Sequence, residues 1–216
     1  MARSILRRTA VALALLFATA ALWAHPHMFF ESEAEFVWKG DRLAGVYLTW
    51  TFDHAFSAVI LQYDANGDGA FSPAETKAVY DNAFVYLKNY YYFTFIRQGA
   101  KRSNPDRVSE FSVSQKAGKA SYRFYIDLSG YATGPLYLAV YDYTFYCSVS
   151  YPKGREVRLR RDAAIVDASW RVVENRDFPV YYNPRGAADD TTVYYQWRKG
   201  LETFYPLEIE VRSDRR

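Results

Sequence analysis

Residues Asp64 to Glu75 read D-A-N-G-D-G-A-F-S-P-A-E. Asp64, Asn66, Asp68, Ser72 and Glu75 stand at the first, third, fifth, ninth and twelfth places, Gly69 at the sixth and Ala70 at the seventh. Ca²⁺ is a hard cation that takes six to eight oxygens, and alternate residues of a tight loop can aim theirs at one centre. Gly69 permits the sharp turn, Ala70 offers its backbone carbonyl, Ser72 contributes directly or through water, and Glu75 closes the sphere with both oxygens. The pattern is that of a calcium loop of the EF-hand type. At average residue usage it arises by chance in roughly one chain of this length in a few thousand, so it signals a metal. It also constrains the fold, because such a loop works only between two helices.

The flanking residues supply those helices. Asp53 suits a helix cap, and a helix is expected from His54 to about Tyr63, with Phe56, Val59, Ile60 and Tyr63 on one face. Ser72-Pro73-Ala74-Glu75 reads as a capping box with Pro at the first helical place. It predicts a second helix from Pro73 to about Tyr90, so the whole unit spans residues 53–90.

The rest of the chain reads as β-structure. Phe29–Trp38 and Leu43–Trp50 alternate apolar with polar or small residues and form a hairpin about Lys39-Gly40-Asp41. Further strands are expected at 91–97, 108–113, 120–128, 136–143, 145–149, 156–159, 164–173 and 207–211. Residues 175–190 read as a loop, and 191–204 as a short helix capped by Asp190 with Tyr194, Trp197 and Leu201 along one side. The expected class is α+β, a mainly antiparallel β framework with one inserted EF-hand-like helix–loop–helix.

The first 24 residues read as a secretory signal peptide. Arg3, Arg7 and Arg8 precede the apolar run Thr9–Leu22, which is too short to span a bilayer, and Leu22-Trp23-Ala24 ends it on a small residue. The leader holds three of the 27 basic residues and none of the 24 acidic ones, so residues 25–216 carry 24 of each and no net charge. No basic excess remains to draw nucleic acid. No second run of spanning length follows, so a single periplasmic domain, 25–216, is expected. Cys147 is the one cysteine and sits in an apolar run, as a buried thiol would.

Two of the three histidines, His25 and His27, stand at the expected mature terminus. Imidazole is a standard ligand for Zn²⁺, Ni²⁺ and Cu²⁺. Pro26 lacks the amide hydrogen that a square-planar chelate through the terminal amine requires. The imidazoles therefore need help from elsewhere, and Asp53, His54 and Asp142 are the candidates. Each has a plainer reading: a frayed tail for the histidine pair, a helix cap for Asp53, a helix-surface residue for His54, a turn acceptor for Asp142. The 20 tyrosines and 15 phenylalanines, dense at 89–95 and 193–197, suit either a stacking platform for sugars or an aromatic β core. No nucleophile–base order or phosphate loop emerges, and no enzyme is expected.

Taken in order, His25-Pro26-His27 before Phe29, Thr49-Trp50-Thr51-Phe52-Asp53 with Phe56-Ser57, the calcium-type loop, Tyr92-Phe93-Thr94 and Val140-Tyr141-Asp142-Tyr143-Thr144-Phe145-Tyr146 form a set. Over residues 25–150 the chain resembles the periplasmic proteins labelled transport-system periplasmic component. That family is found beside inner-membrane nickel/cobalt-type permeases or exporters, and some members are implicated in zinc handling. The resemblance implies an accessory that binds zinc or nickel/cobalt for an inner-membrane transporter, with His25, His27, Asp53 and Asp142 matching its motifs. Calcium in the 64–75 loop would then be structural. A secreted carbohydrate- or envelope-binding module, and a copper protein using an N-terminal histidine, are the alternative readings. Residues 161–205 carry no assigned role.

Overall fold

The computed structural model describes residues 25–187 and 189–215. The expected leader, 1–24, lies outside the described residues. β1 (Met28–Lys39) and β2 (Arg42–Phe52) form the hairpin, in register from Phe30 opposite Phe52 to Lys39 opposite Arg42. Gly40-Asp41 is the two-residue link, and Gly40 sits at φ +62°, where a side chain would be strained. Alternation decides the faces: Val46, Leu48, Trp50 and Phe52 are buried, while Tyr47, Thr49 and Thr51 between them are half-buried.

α1 (His54–Ile60), a 3₁₀ turn (Leu61–Tyr63) and α2 (Pro73–Asn82) come next, followed by tight turns through Phe84–Phe93. β3 (Thr94–Gln98) and β4 (Lys101–Ser103) pair, then β5 (Ser109–Lys116) with β6 (Lys119–Asp127). The remaining strands are β7 (Leu136–Val140), β8 (Cys147–Ser150), β9 (Val157–Arg160), β10 (Val166–Glu174), β11 (Val180–Tyr182), β12 (Glu202–Phe204) and β13 (Leu207–Arg215). One sheet runs β5-β6-β2-β1-β8, and β9 shares the outer edge of β1. β8 and β9 are parallel to β1, against residues 28–31 and 34–37 respectively. The second sheet runs β10-β13-β7-β3-β4, antiparallel throughout. β11 and β12 make a separate pair.

A single apolar cluster holds Phe36, Leu48 and Trp50 of the first sheet together with Ile96, Leu138 and Ile209 of the second. The two sheets therefore share one core. Ile60, Val79 and Phe84 bring the helical segment into the same cluster. The fold is mostly β with few helices, as the mixed α+β expectation required. Among the described residues no helix is long and apolar enough to cross a membrane.

Two expected helices differ. The second one stops at Asn82 instead of reaching Tyr90. Phe84 and Phe93 are nine residues apart, roughly opposite faces of an α-helix, yet both are buried in the shared core. The chain meets that demand by breaking, with Tyr91, Tyr92 and Phe93 at φ +56°, +48° and +47°. Residues 191–204 form no helix. Tyr194 bridges to Tyr181, Glu202–Phe204 pairs with β11, and Trp197 is exposed while Leu201 is buried, so their spacing marks no common face. Pairing with β11 satisfies backbone groups that a helix would have satisfied internally.

Candidate functional site

The 64–75 loop is arranged around its own oxygens. Asp64 Oδ2 accepts from Gly69 N at 2.9 Å, Asn66 Oδ1 from Asp68 N at 3.1 Å and Asp68 Oδ1 from Ala70 N at 2.8 Å. Glu75 reaches back with both oxygens, Oε1 to Ala65 N and Oε2 to Ser72 N, each at 2.8 Å. Glu75 N donates to Ser72 Oγ, which completes the capping box at the start of α2. The Ser72 amide and hydroxyl, then the Ala65 amide, hold the Glu75 carboxyl below its usual range. Asp64 Oδ1 is buried with no hydrogen-bond partner. Every donor in the set is oxygen, the ligand chemistry calcium prefers. Asn66, the Ala70 carbonyl and Ser72 are neutral. No three His, Cys, Asp or Glu side chains are gathered as a metal cluster among the described residues.

Asp53 caps α1: Oδ1 accepts from Phe56 N at 2.8 Å. Its Oδ2 accepts from Phe29 N at 3.1 Å, which ties the helix start to the start of β1. Both oxygens are thus engaged by backbone amides. His54 is exposed on α1 and faces the turn at Gly118 between β5 and β6. The structure does not bring His54 to the other histidines.

His25 and His27 do meet. Their ring centroids are 4.9 Å apart, nearly perpendicular, and the Tyr146 ring lies 5.1 Å from His27 and 6.2 Å from His25. His27 N donates to Tyr146 O at 2.8 Å, so His27 is tied to the residue just before β8. His27 is exposed, whereas His25 is 4% exposed and its Nδ1 has no hydrogen-bond partner. Residues 25–27 are therefore not a frayed tail. Burial, then the charge of His27, lowers the His25 pKa, while Asp190 and Asp142 pull the other way.

Asp142 is buried and organises the turn that carries Tyr146. Its Oδ1 accepts from the Thr144 amide and hydroxyl at 2.8 and 2.7 Å, and Oδ2 from Cys147 N at 3.0 Å. Burial, followed by Asp142, pushes the Cys147 thiol well up, so it stays protonated and is a poor ligand. Asp190 is the carboxylate that reading the sequence missed, since there it served only as a helix cap. Its Oδ1 accepts from Thr192 N at 2.9 Å, and the Thr192 hydroxyl and amide, then His25, hold its carboxyl below the usual range. Its Oδ2 lies 2.5 Å from where a Cβ on Gly186 would stand, so only glycine permits that approach. No periodic pattern in the sequence around Asp190 announces that its charge acts on His25.

Residues 10–212 match the family model described as "Protein of unknown function (DUF1007)". The chain belongs to the DUF1007 family. The DUF1007 match takes in the histidine pair, the 64–75 loop, Asp142 and Asp190 together. A similar protein is the "Uncharacterized 15.5 kDa protein in trpE 3'region" of Spirochaeta aurantia, 32% identical over 104 residues, which are 47% of this chain and 74% of that one. Another is an "Uncharacterized protein" of Haemophilus influenzae, 24% identical over 141 residues, 63% of this chain and 67% of the relative.

Proposed function

We propose that this protein is a periplasmic accessory that binds a divalent transition metal, zinc or nickel/cobalt, for an inner-membrane permease or exporter. His25 and His27 would be the ligands, the charge of Asp190 acts on His25 with no ready-made three-residue cluster among the described residues, and Asp142 sets the turn behind them. The observation that carries this reading is the His25 Nδ1, buried without a partner beside a second imidazole and in the field of two carboxylates. A buried polar atom left unpaired is costly, and a metal ion would turn that cost into a bond. A metal bound here would act as cargo, held by neutral imidazoles and released to a partner. The transporter enters through the family resemblance alone.

The 64–75 loop adds an EF-hand-like helix–loop–helix, inserted between β2 and β3, that holds calcium for structure. Asp64, Asn66, Asp68, the Ala70 carbonyl, Ser72 and Glu75 would supply the oxygens. Calcium sensors usually pair two such units and expose a Met-rich groove, and this chain has one loop and two methionines. Extracellular modules bind calcium at about 10⁻⁴–10⁻³ M, which suits a permanent structural ion in such a compartment.

Isothermal titration of protein beginning at His25 tests the transition-metal reading. Zinc or nickel binding tighter than about millimolar, weakened at least tenfold by His25→Ala with His27→Ala, is expected. Titration of the same double variant with calcium leaves the loop's affinity unchanged if the two sites are separate.

A further inference from the structure

A cleft of 510 Å³ opens between the β3–β4 edge of the second sheet and residues 177–181, with 193–195 on its rim. That volume lies within the range of small-molecule sites. The floor is aromatic: Phe95 and Tyr141 are buried and stack at 4.2 Å with planes 20° apart. Arg102 lies between the faces of Phe95 and Phe178, 4.1 and 4.2 Å from their centroids, and donates to the Tyr141 hydroxyl. A guanidinium carries five N–H donors in a fixed fork. Tyr141 is the one hydrogen-bond partner of this guanidinium among the described residues. The cleft therefore contains a cation fixed by two ring faces with most of its donors unspent. Asp177, the one carboxylate lining the cleft, forms no ion pair with Arg102 among the described residues.

The rim has a different character. Tyr91 and Tyr195 are 47% and 88% exposed, and Tyr143 stands beside Tyr91 at 5.9 Å. Tyr91 begins the left-handed run that buries Tyr92 and Phe93, a strained conformation for a non-glycine residue. A flat ring with a polar tip offers a stacking face and a hydroxyl together. Several such rings around an apolar floor match a ligand that is apolar on its faces and studded with hydroxyls at its edge.

We propose that this cleft binds a carboxylate-bearing saccharide. Its carboxylate takes the open edge of Arg102 in two parallel hydrogen bonds, the geometry a guanidinium fork favours. Its sugar faces stack on the tyrosine rim, and its hydroxyls meet the phenolic ones. A simple aromatic acid would satisfy Arg102 and leave the ring of tyrosine hydroxyls unmatched. This proposal stands apart from the metal reading, although one excursion of chain connects the two places. Tyr181 of β11 and Tyr194 line the cleft, and Asp190, between them in sequence, acts on the charge of His25.

The test titrates the whole mature protein with glucuronate-, galacturonate- and muramate-containing di- and trisaccharides, their neutral counterparts and benzoate, by calorimetry and ligand-observed NMR. An acidic saccharide binding at about millimolar or tighter, with its neutral counterpart at least about tenfold weaker, is the expected result. Arg102→Met removes that preference for acid. Tyr195→Ala, at an exposed position and so without cost to the fold, weakens the acidic saccharide about tenfold. If Arg102→Met does not fold, Tyr195→Ala together with the acid-to-neutral ratio decides. Absence of saturable binding across the acidic set, equal binding of acidic and neutral sugars, or benzoate binding as tightly as the saccharides overturns the proposal.

Discussion

His25 Nδ1 and Asp64 Oδ1 share a condition: each is buried without a protein partner. Leaving a buried polar atom unpaired costs roughly 1–3 kcal/mol, so each position has something to gain from a cation. At Asp64 the proposed cation is calcium. A hundredfold excess of calcium over its dissociation constant should raise the melting temperature by about 5 °C or more, and Asp64→Asn should abolish that rise in a thermal scan. Glu210 shows the opposite strategy. Burial disfavours its charge, but Arg171, Arg212 and Tyr137 hold the carboxyl below its ordinary value of 4.5. The folded state therefore binds fewer protons than the unfolded one as pH falls past that value. Stability from Glu210 is present above about 4.5 and lost progressively below it. Glu210→Gln should cost about 1–3 kcal/mol at pH 7 and flatten the acid limb of a urea-midpoint-against-pH curve.

Elements here are cut to length by what must be buried. The segment after α2 breaks because Phe84 and Phe93 both enter the core, and Phe84 packs on Phe111 and Phe124 at 4.2 and 5.1 Å. Phe84→Ala should cost about 3–5 kcal/mol by urea denaturation, since it empties the contact between the helical segment and the first sheet. The β1–β2 hairpin was legible because β2 alternates cleanly between core and outer face from Val46 to Phe52. The helix end at Asn82 was not, because propensity and capping describe local preference and the break answers a tertiary demand. The placement of Asp190 was illegible for a related reason: its side chain packs close on Gly186, a contact rather than a pattern along the sequence. Gly186→Ala should displace Asp190 and weaken zinc binding about tenfold in a competition assay, with the melting temperature nearly unchanged.

The molecule as a whole is two large sheets on a shared core with a small β11–β12 pair beside them, and its candidate histidine pair stands at the edge where β1 begins and β8 runs parallel to it. That parallel pairing explains why the site was only half legible. The histidines and Asp142 stand out in the sequence as polar residues in apolar company, and Asp53 as a cap. Which of them converge depends on β8 lying beside β1, and four-residue strands carry no mark of their direction. Asp53 and Asp142 proved to have their oxygens occupied by backbone amides, and Asp190 is the other carboxylate whose charge acts on His25. The central claim is that the His25–His27 pair binds a transition metal. Calorimetric titration of zinc into mature protein beginning at His25, wild type against His25→Ala with His27→Ala, tests it most directly. One ion bound well below millimolar, lost in the double variant while the calcium response persists, is the predicted result. No zinc binding tighter than about millimolar, or equal binding by both proteins, would contradict it.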